Sequence, residues 1–237
     1  MSAKFLVLLA LSSTLALPAA TQASTDGGAS AFSASPPPPS SDDARGVTLR
    51  VRPVALLGRV VRFGGTVPSG QERETVSIQR RDPRAGWVTL VQTRSDGTGS
   101  YSASWRARSA GRLVVRALAT PARSARRTAT AAEARGVPLT VFRPARATYY
   151  GPGFYGSRTA CGVRLTAQTL GVAHRSLPCG TRVAILYRGR TVTVPVIDRG
   201  PYANNADWDL TSATAQRVGL SATATIGTLT AEGKRGF

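Results

Sequence analysis

From residue 45 to about residue 143, the sequence consists of short segments in which apolar and polar residues alternate, as at Val76 and Ile78 or Val88 and Leu90. A period of two places successive side chains on opposite faces of a strand, so the alternation indicates strands that are buried on one side. Turn-forming stretches such as "DPRAG" and "SDGTG" separate the segments. The strand candidates are "GVTLRVRP", "GRVVRFGGTV", "ETVSIQRRD", "GWVTLVQTRS", "GSYSASWRA", "GRLVVRALA" and "GVPLTVF". They predict an all-β protein whose residues 45–143 form an immunoglobulin-like β-sandwich, without the cysteine pair of antibody domains.

The first 23 residues have the pattern of a secretory signal peptide. Lys4 supplies the positive start, "FLVLLALSSTLAL" the apolar core and "PAATQA" the small residues for cleavage. The apolar core is about 13 residues long, whereas a membrane-spanning helix takes roughly 20. We therefore predict an exported protein, secreted or held in the cell envelope (periplasm or cell wall), with no transmembrane segment.

Residues 24–44 are rich in Ser and Pro and contain no periodic apolar residues. Such a segment cannot bury enough surface to offset the entropy of ordering it, so a disordered linker is predicted.

The net charge is +19, from 31 Lys and Arg against 12 Asp and Glu. One interpretation is attraction to a polyanion. The other is the codon usage of a GC-rich genome combined with solvated strand faces. Because an exported protein is a poor partner for nucleic acid, we predict no nucleic-acid partner and favour anionic wall polymers.

Residues 147–231 differ in character, with frequent Gly and short strands. "TRVAILY" and "RTVTVPVI", separated by "RG", predict a hairpin, and "ATATIGTL" predicts a closing strand. "DLTSATAQRVGL" predicts a short helix that Thr211 can cap and Gly219 can end. About six strands and one or two short helices predict a small β-barrel.

The motifs of this part carry a resemblance. In order, "ATYYGPGFYGSRTACG", "LGVAHRSLPCGTRV", "VPVIDRGPY" and "WDLT" resemble the rare lipoprotein A-like (RlpA-like) double-psi β-barrel family, whose barrel is similar to the first domain of expansins. The resemblance implies a six-stranded double-psi β-barrel over residues 147–231. It also implies a lytic transglycosylase that acts on peptidoglycan glycan strands.

The resemblance assigns Asp198 as the catalytic acid and His174 as a second catalytic position. Asp198 ends an apolar strand, where partial desolvation favours the protonated form that a general acid needs. The alternative is an aspartate that caps a turn or pairs with an arginine. His174 would orient Asp198 or the leaving sugar oxygen, and its alternative is a hydrogen-bonded structural residue.

Four aromatic residues and one acid are candidates for substrate binding. Tyr149, Tyr150, Phe154 and Tyr155 could line a glycan groove, with ordinary barrel packing as the alternative. Asp209 could contact substrate or hydrogen-bond the start of the neighbouring helix.

Cys161 and Cys179 are the only cysteines. In an exported chain they predict a disulfide. Zinc as a rule takes four ligands, and two cysteines with one histidine fall short, so we predict no metal and no cofactor.

The predicted activity is endolytic cleavage of the bond between N-acetylmuramic acid (MurNAc) and N-acetylglucosamine (GlcNAc), leaving a 1,6-anhydro product. One acid suffices for this reaction because the nucleophile is the substrate's own hydroxyl. The alternative is a non-catalytic, expansin-like module that binds or loosens wall polysaccharide. The sequence does not specify the oligomeric state.

Overall fold

Strands make up most of the regular secondary structure in this computed structural model. The structure describes residues 40–42, 46–68, 73–120, 132–203 and 205–230, all within a compact unit that spans residues 35–237. The predicted signal peptide and most of the predicted linker lie outside the described residues.

The described residues form fifteen strands and one helix. The strands before the barrel are β1 (Ser40–Asp42), β2 (Thr48–Val51), β3 (Val54–Leu56), β4 (Val60–Thr66), β5 (Thr75–Asp82), β6 (Gly86–Arg94), β7 (Ser100–Arg106), β8 (Gly111–Thr120) and β9 (Ala132–Glu133). The remaining elements are β10 (Val137–Tyr150), β11 (Val172–Ala173), β12 (Arg182–Tyr187), β13 (Arg190–Asp198), β14 (Trp208–Thr211), α1 (Ser212–Val218) and β15 (Ala224–Thr230). Each of the seven strand segments predicted before residue 143 overlaps an observed strand.

Two sheets make up the N-terminal module, here the described residues between 40 and 142. One sheet has the order β1-β2-β4-β7, and the other contains β3, β10, β8, β5 and β6. Apolar side chains from both sheets, such as Leu49, Phe63, Ile78 and Leu139, pack in one buried cluster. The period-two alternation of the sequence therefore places one face of each sheet in a common core.

Six strands close the C-terminal barrel in the order β10-β14-β11-β13-β12-β15 and back to β10. Two local predictions are confirmed here. Arg188 and Gly189 join β12 to β13 with positive φ at both positions, the conformation of the tight hairpin turn. Helix α1 begins after Thr211, whose side chain accepts a hydrogen bond from the Thr214 N–H, and ends at Gly219 with a left-handed φ of 79°.

The longest strand, β10, belongs to both parts of the chain. Its first half pairs with β8 and β3, and its second half pairs with β15 and β14. The predicted boundary between residues 143 and 147 therefore lies inside a continuous strand. Phe142, Leu186 and Leu56 pack together where the module meets the barrel, so the two parts share backbone pairing and apolar contacts.

Candidate functional site: an acidic cleft at one end of the barrel

A cleft of about 300 Å³ opens at one end of the barrel. Asp198, the last residue of β13, and Asp209, the second residue of β14, both line it. Strand β11 pairs with both of these strands, so it lies between the two carboxyl groups in the sheet. The other lining residues are Thr148, Tyr150, Phe154, Ser157, Arg158, Thr159, Leu165, Ala173, Arg199, Gly200, Pro201, Tyr202 and Ala203.

Backbone donors hold one oxygen of Asp198. The Ala160 N–H donates to Oδ1 over 2.9 Å, and the Arg199 N–H donates to the same oxygen over 2.8 Å. Within the described residues, Oδ2 accepts no hydrogen bond of ordinary geometry. The carboxylate is thus oriented through one oxygen while the other remains available to a ligand.

Asp209 is held by a side chain of the neighbouring strand. The Thr148 hydroxyl donates to Asp209 Oδ1 over 2.7 Å. Burial raises the pKa of Asp209 above the ordinary value, the Thr148 hydrogen bond opposes that shift, and the negative charge of Asp198 adds to it. Asp209 therefore keeps a proton to higher pH than an exposed aspartate does.

Tyr150 brings a hydroxyl to the two carboxyl groups. Its Oη is buried and completes no hydrogen bond of ordinary geometry, although it lies within interaction range of the Asp198 carboxylate. Burial raises the pKa of Tyr150, and the charges of Asp198 and Asp209 raise it further. The hydroxyl therefore stays protonated and can donate a hydrogen bond beside the two carboxyl groups.

Among the described residues, neither carboxyl group forms an ion pair. In the described parts of the chain, the two ion pairs are Arg80 with Asp82 and Arg116 with Glu133, both in the N-terminal module. Arg199 directs its guanidinium to the Asp198 carbonyl oxygen and to Cys179 Sγ, each at 3.4 Å. The geometry therefore does not support the alternative in which the Asp198 carboxylate forms an ion pair with an arginine.

His174 lies beside the cleft and is not among its lining residues. Its Nδ1 accepts hydrogen bonds from the backbone N–H groups of Ser176 and Leu177, at 3.2 and 3.1 Å. Its ring packs on Trp208 with the centroids 4.4 Å apart. Burial lowers the pKa of His174, and the charges of Arg175 and Arg199 lower it further, against an opposing effect of Asp207. The imidazole is therefore neutral at neutral pH.

His174 and Asp198 are joined through the backbone. The His174 N–H donates to the Asp198 carbonyl oxygen over 3.2 Å. No hydrogen bond between the two side chains occurs among the described contacts. The structure thus places His174 where it can position the end of β13.

The predicted disulfide is confirmed, and it fixes one wall of the cleft. Cys161 and Cys179 are bonded, with their Cα atoms 5.8 Å apart. Cys161 belongs to the Gly-rich loop 151–171, and its N–H donates to the Ile197 carbonyl oxygen next to Asp198. At Gly171 a Cβ atom would come within 2.5 Å of the Ile197 side chain. Only glycine therefore allows the end of the loop to approach β13 so closely.

The four candidate aromatic residues divide into two pairs. Tyr150 and Phe154 line the cleft and meet edge to face, with ring centroids 6.2 Å apart. Tyr149 and Tyr155 do not line it, and the Tyr149 hydroxyl donates to the Ser221 carbonyl oxygen over 3.4 Å.

Sequence reasoning missed Tyr202, whose side chain is 79% exposed at the rim of the cleft. The signal was present, because Tyr202 is the aromatic residue of the "DRGPY" motif. Thr148 was also missed, although it stands next to Tyr149 in the first motif.

Arg175, the residue after His174, holds the loop that carries Tyr202. Its guanidinium donates to the carbonyl oxygens of Pro201 and Ala206 over 2.7 and 2.6 Å. The described residues contain no group of three or more His, Cys, Asp or Glu side chains placed to hold a metal ion. No helix within them is long and apolar enough to cross a membrane.

The closed six-stranded barrel with a carboxyl-lined cleft at one end is consistent with the class that the family comparison gives, a double-psi β-barrel. Residues 144–230 match the double-psi β-barrel family model described as lytic transglycolase, and this part of the chain is similar to RlpA proteins.

Two curated relatives show the extent of the similarity. The "Probable endolytic peptidoglycan transglycosylase RlpA" of Synechocystis sp. is 45% identical over 76 residues, which are 31% of this chain and 24% of the relative. The "Endolytic peptidoglycan transglycosylase RlpA" of Campylobacter jejuni is 41% identical over 81 residues, 33% of this chain and 30% of the relative. The chain therefore spans about a quarter to a third of the length of these relatives. A solved structure, the Streptomyces papain inhibitor (SPI), is 28% identical to this chain and has a TM-score of 0.31. The match covers 37% of this chain and 92% of the inhibitor chain.

Proposed function

We propose that this protein is an exported endolytic lytic transglycosylase that cleaves the MurNAc–GlcNAc bonds of peptidoglycan and leaves a 1,6-anhydro product. One observation carries the proposal: Asp198 is fixed through Oδ1, lines an open cleft, and shares that cleft with the second carboxyl group of Asp209. The names of the relatives, which describe peptidoglycan transglycosylases, agree with this assignment.

The proposed reaction uses Asp198 twice. In its protonated form, Asp198 donates a proton to the glycosidic oxygen, and the bond from that oxygen to C1 of MurNAc breaks. GlcNAc leaves with a hydroxyl group. The Asp198 carboxylate then removes the proton of the muramoyl 6-hydroxyl, whose oxygen bonds to C1 and closes the anhydro ring. The acid is regenerated and no water is consumed.

Asp209 and Tyr150 support this proton transfer. Because the pKa of Asp209 is raised, Asp209 can stay neutral after Asp198 has given its proton to the glycosidic oxygen, which limits repulsion between the two groups. The unpartnered Tyr150 hydroxyl can donate to whichever carboxylate carries the charge. His174 acts as a positioning residue, because its Nδ1 holds the turn at Ser176 and Leu177 while its backbone N–H bonds to the Asp198 carbonyl oxygen.

The glycan is held by the aromatic residues that line the cleft. Tyr150 and Phe154 form one wall, and Tyr202 stands exposed at the rim. Aromatic faces of this kind suit the C–H surfaces of sugar rings. Tyr149 and Tyr155 have no direct part in this arrangement.

The N-terminal module is proposed to be an immunoglobulin-like sandwich that attaches the enzyme to the wall. The strand pairing supports the sandwich fold, since β2 joins one sheet while the next strand, β3, joins the other, where it runs parallel to β10. Export through residues 1–23 would bring the chain to the envelope, where peptidoglycan strands and anionic wall polymers are its partners.

Digestion of purified sacculi tests the proposed activity. Wild type should release anhydro-muropeptides detectable by mass spectrometry, and Asp198→Asn should release none. Asp207→Asn is the matched control, since Asp207 is exposed, lies off the cleft and accepts its hydrogen bond from the Arg146 N–H, which an asparagine oxygen can also accept.

The same experiment separates the enzyme from the expansin-like alternative. Binding of wild type to sacculi without any anhydro product, under conditions in which a known lytic enzyme digests them, would refute the enzymatic assignment. It would favour a module that only binds or loosens the wall.

A further inference from the structure

A second cleft, of about 430 Å³, lies in the N-terminal module between β2, β3 and β4. Four of its ten lining residues are arginines, namely Arg50, Arg52, Arg59 and Arg62, and the other six are apolar. We call these four residues the arginine cluster.

The register of the sheet brings the charges together. Arg50 pairs with Gly64 and Val51 with Phe63, so the end of β2, after which Arg52 follows, lies beside the start of β4, which contains Arg62. Arg59 precedes β4 at the same end. Like charges that neighbouring strands bring close together repel each other. The arrangement therefore has a cost that the module's own contacts must offset.

Among the residues whose side chains are described, no acidic group lines the cleft beside the arginine cluster. Four acidic residues are described between residues 46 and 133, and none of them lines the cleft. Asp82 pairs with Arg80, Glu133 pairs with Arg116, and Asp96 binds Thr98 and the backbone of its own turn. The fourth, Glu74, lies just before β5.

The side chains of the arginine cluster make no hydrogen bond or ion pair in the described parts of the chain, and all four residues are exposed. Cations gathered in a concave, partly apolar site attract anions more strongly than the same charges dispersed over a surface. The planar guanidinium matches the oxygens of a phosphate group with two parallel hydrogen bonds. Val54 and Val60 supply apolar surface between these donors.

We propose that the arginine cluster binds a linear polymer whose repeating units are joined by phosphodiester groups. The guanidinium groups would bind successive phosphates, and the valine side chains would contact the carbon chain between them. The choice of a wall polymer as the source of these phosphates rests on the proposed function. The binding chemistry itself does not depend on the carboxyl groups of the barrel.

The test measures binding of the full chain to purified glycerol-phosphate teichoic acid. Changing all four residues of the arginine cluster to Gln should weaken binding about 10- to 100-fold, because four exposed charge contacts are lost together. The control variant carries Arg84→Gln, Arg94→Gln, Arg188→Gln and Arg217→Gln, which remove the same charge from exposed positions outside the cleft. It should bind nearly as wild type does. If the cluster variant and the control variant lost the same amount of binding, the proposed site would be overturned.

A third variant and two further probes identify the recognised group. Changing the four residues to Lys keeps the charge but removes the paired donors, so binding should be intermediate. Tighter binding to polyglutamate than to teichoic acid would overturn the phosphate assignment. Equal or tighter binding to phosphatidylglycerol vesicles would overturn the polymer in favour of a lipid surface.

Asp198→Asn separates this inference from the proposed function. The variant should bind teichoic acid as wild type does, whether or not wild type cleaves sacculi. Loss of polymer binding in Asp198→Asn would contradict a site in the N-terminal module.

Discussion

The backbone N–H of Ala160 donates a 2.9 Å hydrogen bond to Oδ1 of Asp198. This contact joins the Gly-rich loop 151–171 to the end of β13, so the loop and the acid hold each other in place. The next residue of the loop, Cys161, carries the disulfide to Cys179. The position of the Asp198 carboxylate should therefore depend on the disulfide.

Replacing both cysteines by Ala should lower stability and cleavage together. The disulfide closes a loop across a sequence separation of 18 residues, and its loss costs about 3 kcal/mol in the chain-entropy account. Thermal unfolding with and without a reducing agent measures the first effect, and anhydro-muropeptide release measures the second. A double-Ala variant that keeps wild-type cleavage would show that the loop does not position Asp198. Reducing agent should lower the stability of wild type and leave the double-Ala variant unchanged.

Local signals in the sequence predict much of this fold. The turn of Arg188 and Gly189 and the caps of helix α1 at Thr211 and Gly219 depend on a few neighbouring residues, and the structure confirms each. Strand alternation depends equally on adjacent positions. Such features are set by local backbone preferences and one-sided burial, which are readable from a single sequence.

Non-local pairing could not be predicted in the same way. Nothing near β10 indicates that one half of the strand pairs with β8 and the other half with β14 and β15. The cleft has the same character, since Asp198 and Asp209 are brought together by the two-residue strand β11 between their own strands. The backbone partners of His174 Nδ1 depend on the path of a turn, which its residue types alone do not specify.

The difference in stability between Asp209→Asn and wild type should grow in favour of the variant as the pH increases. Burial raises the pKa of Asp209 above 3.8, so the native state binds this proton more tightly than the unfolded state does. Wild type therefore loses stability as the pH rises from about 3.8 through the folded-state pKa, and the neutral amide does not. Urea unfolding over this range measures the difference between the two curves.

Asp198→Asn is the control for that pH dependence. The charge of Asp198 contributes to the raised pKa of Asp209, so removing it should reduce the slope without abolishing it. A difference curve between Asp209→Asn and wild type that stays flat with pH would contradict the buried environment of Asp209.

Wild type should lose stability at mildly acidic pH because His174 becomes protonated. His174→Asn should not show this loss. Burial and the charges of Arg175 and Arg199 lower the pKa of His174 below 6.5, so the unfolded state takes up this proton first. The stability that the neutral imidazole contributes is complete above about pH 6.5 and is lost as the pH falls through the folded-state pKa. Unfolding curves between neutral pH and about pH 5 would show the effect, and an NMR titration of the imidazole would locate its pKa.

Asn is chosen because it can preserve the hydrogen-bond acceptor that the His174 side chain provides. An amide oxygen can accept the hydrogen bonds that Ser176 and Leu177 donate to Nδ1, whereas Ala cannot. His174→Ala should therefore be less stable than His174→Asn at neutral pH, by about 1–2 kcal/mol. Equal stabilities of the two variants would show that these backbone bonds contribute nothing to the turn.

Tyr150→Phe should reduce cleavage without destabilising the fold. The Tyr150 hydroxyl is buried and completes no hydrogen bond, so its removal relieves a desolvation cost of about 1–3 kcal/mol and leaves the ring contact with Phe154 intact. The melting temperature should stay the same or rise, while the turnover rate falls because the donor beside Asp198 and Asp209 is lost. Thr148→Val is the contrasting variant, since it loses the 2.7 Å bond to Asp209 and should unfold at a lower temperature. Wild-type turnover in Tyr150→Phe, with either thermal result, would show that the hydroxyl takes no part in proton transfer at this cleft.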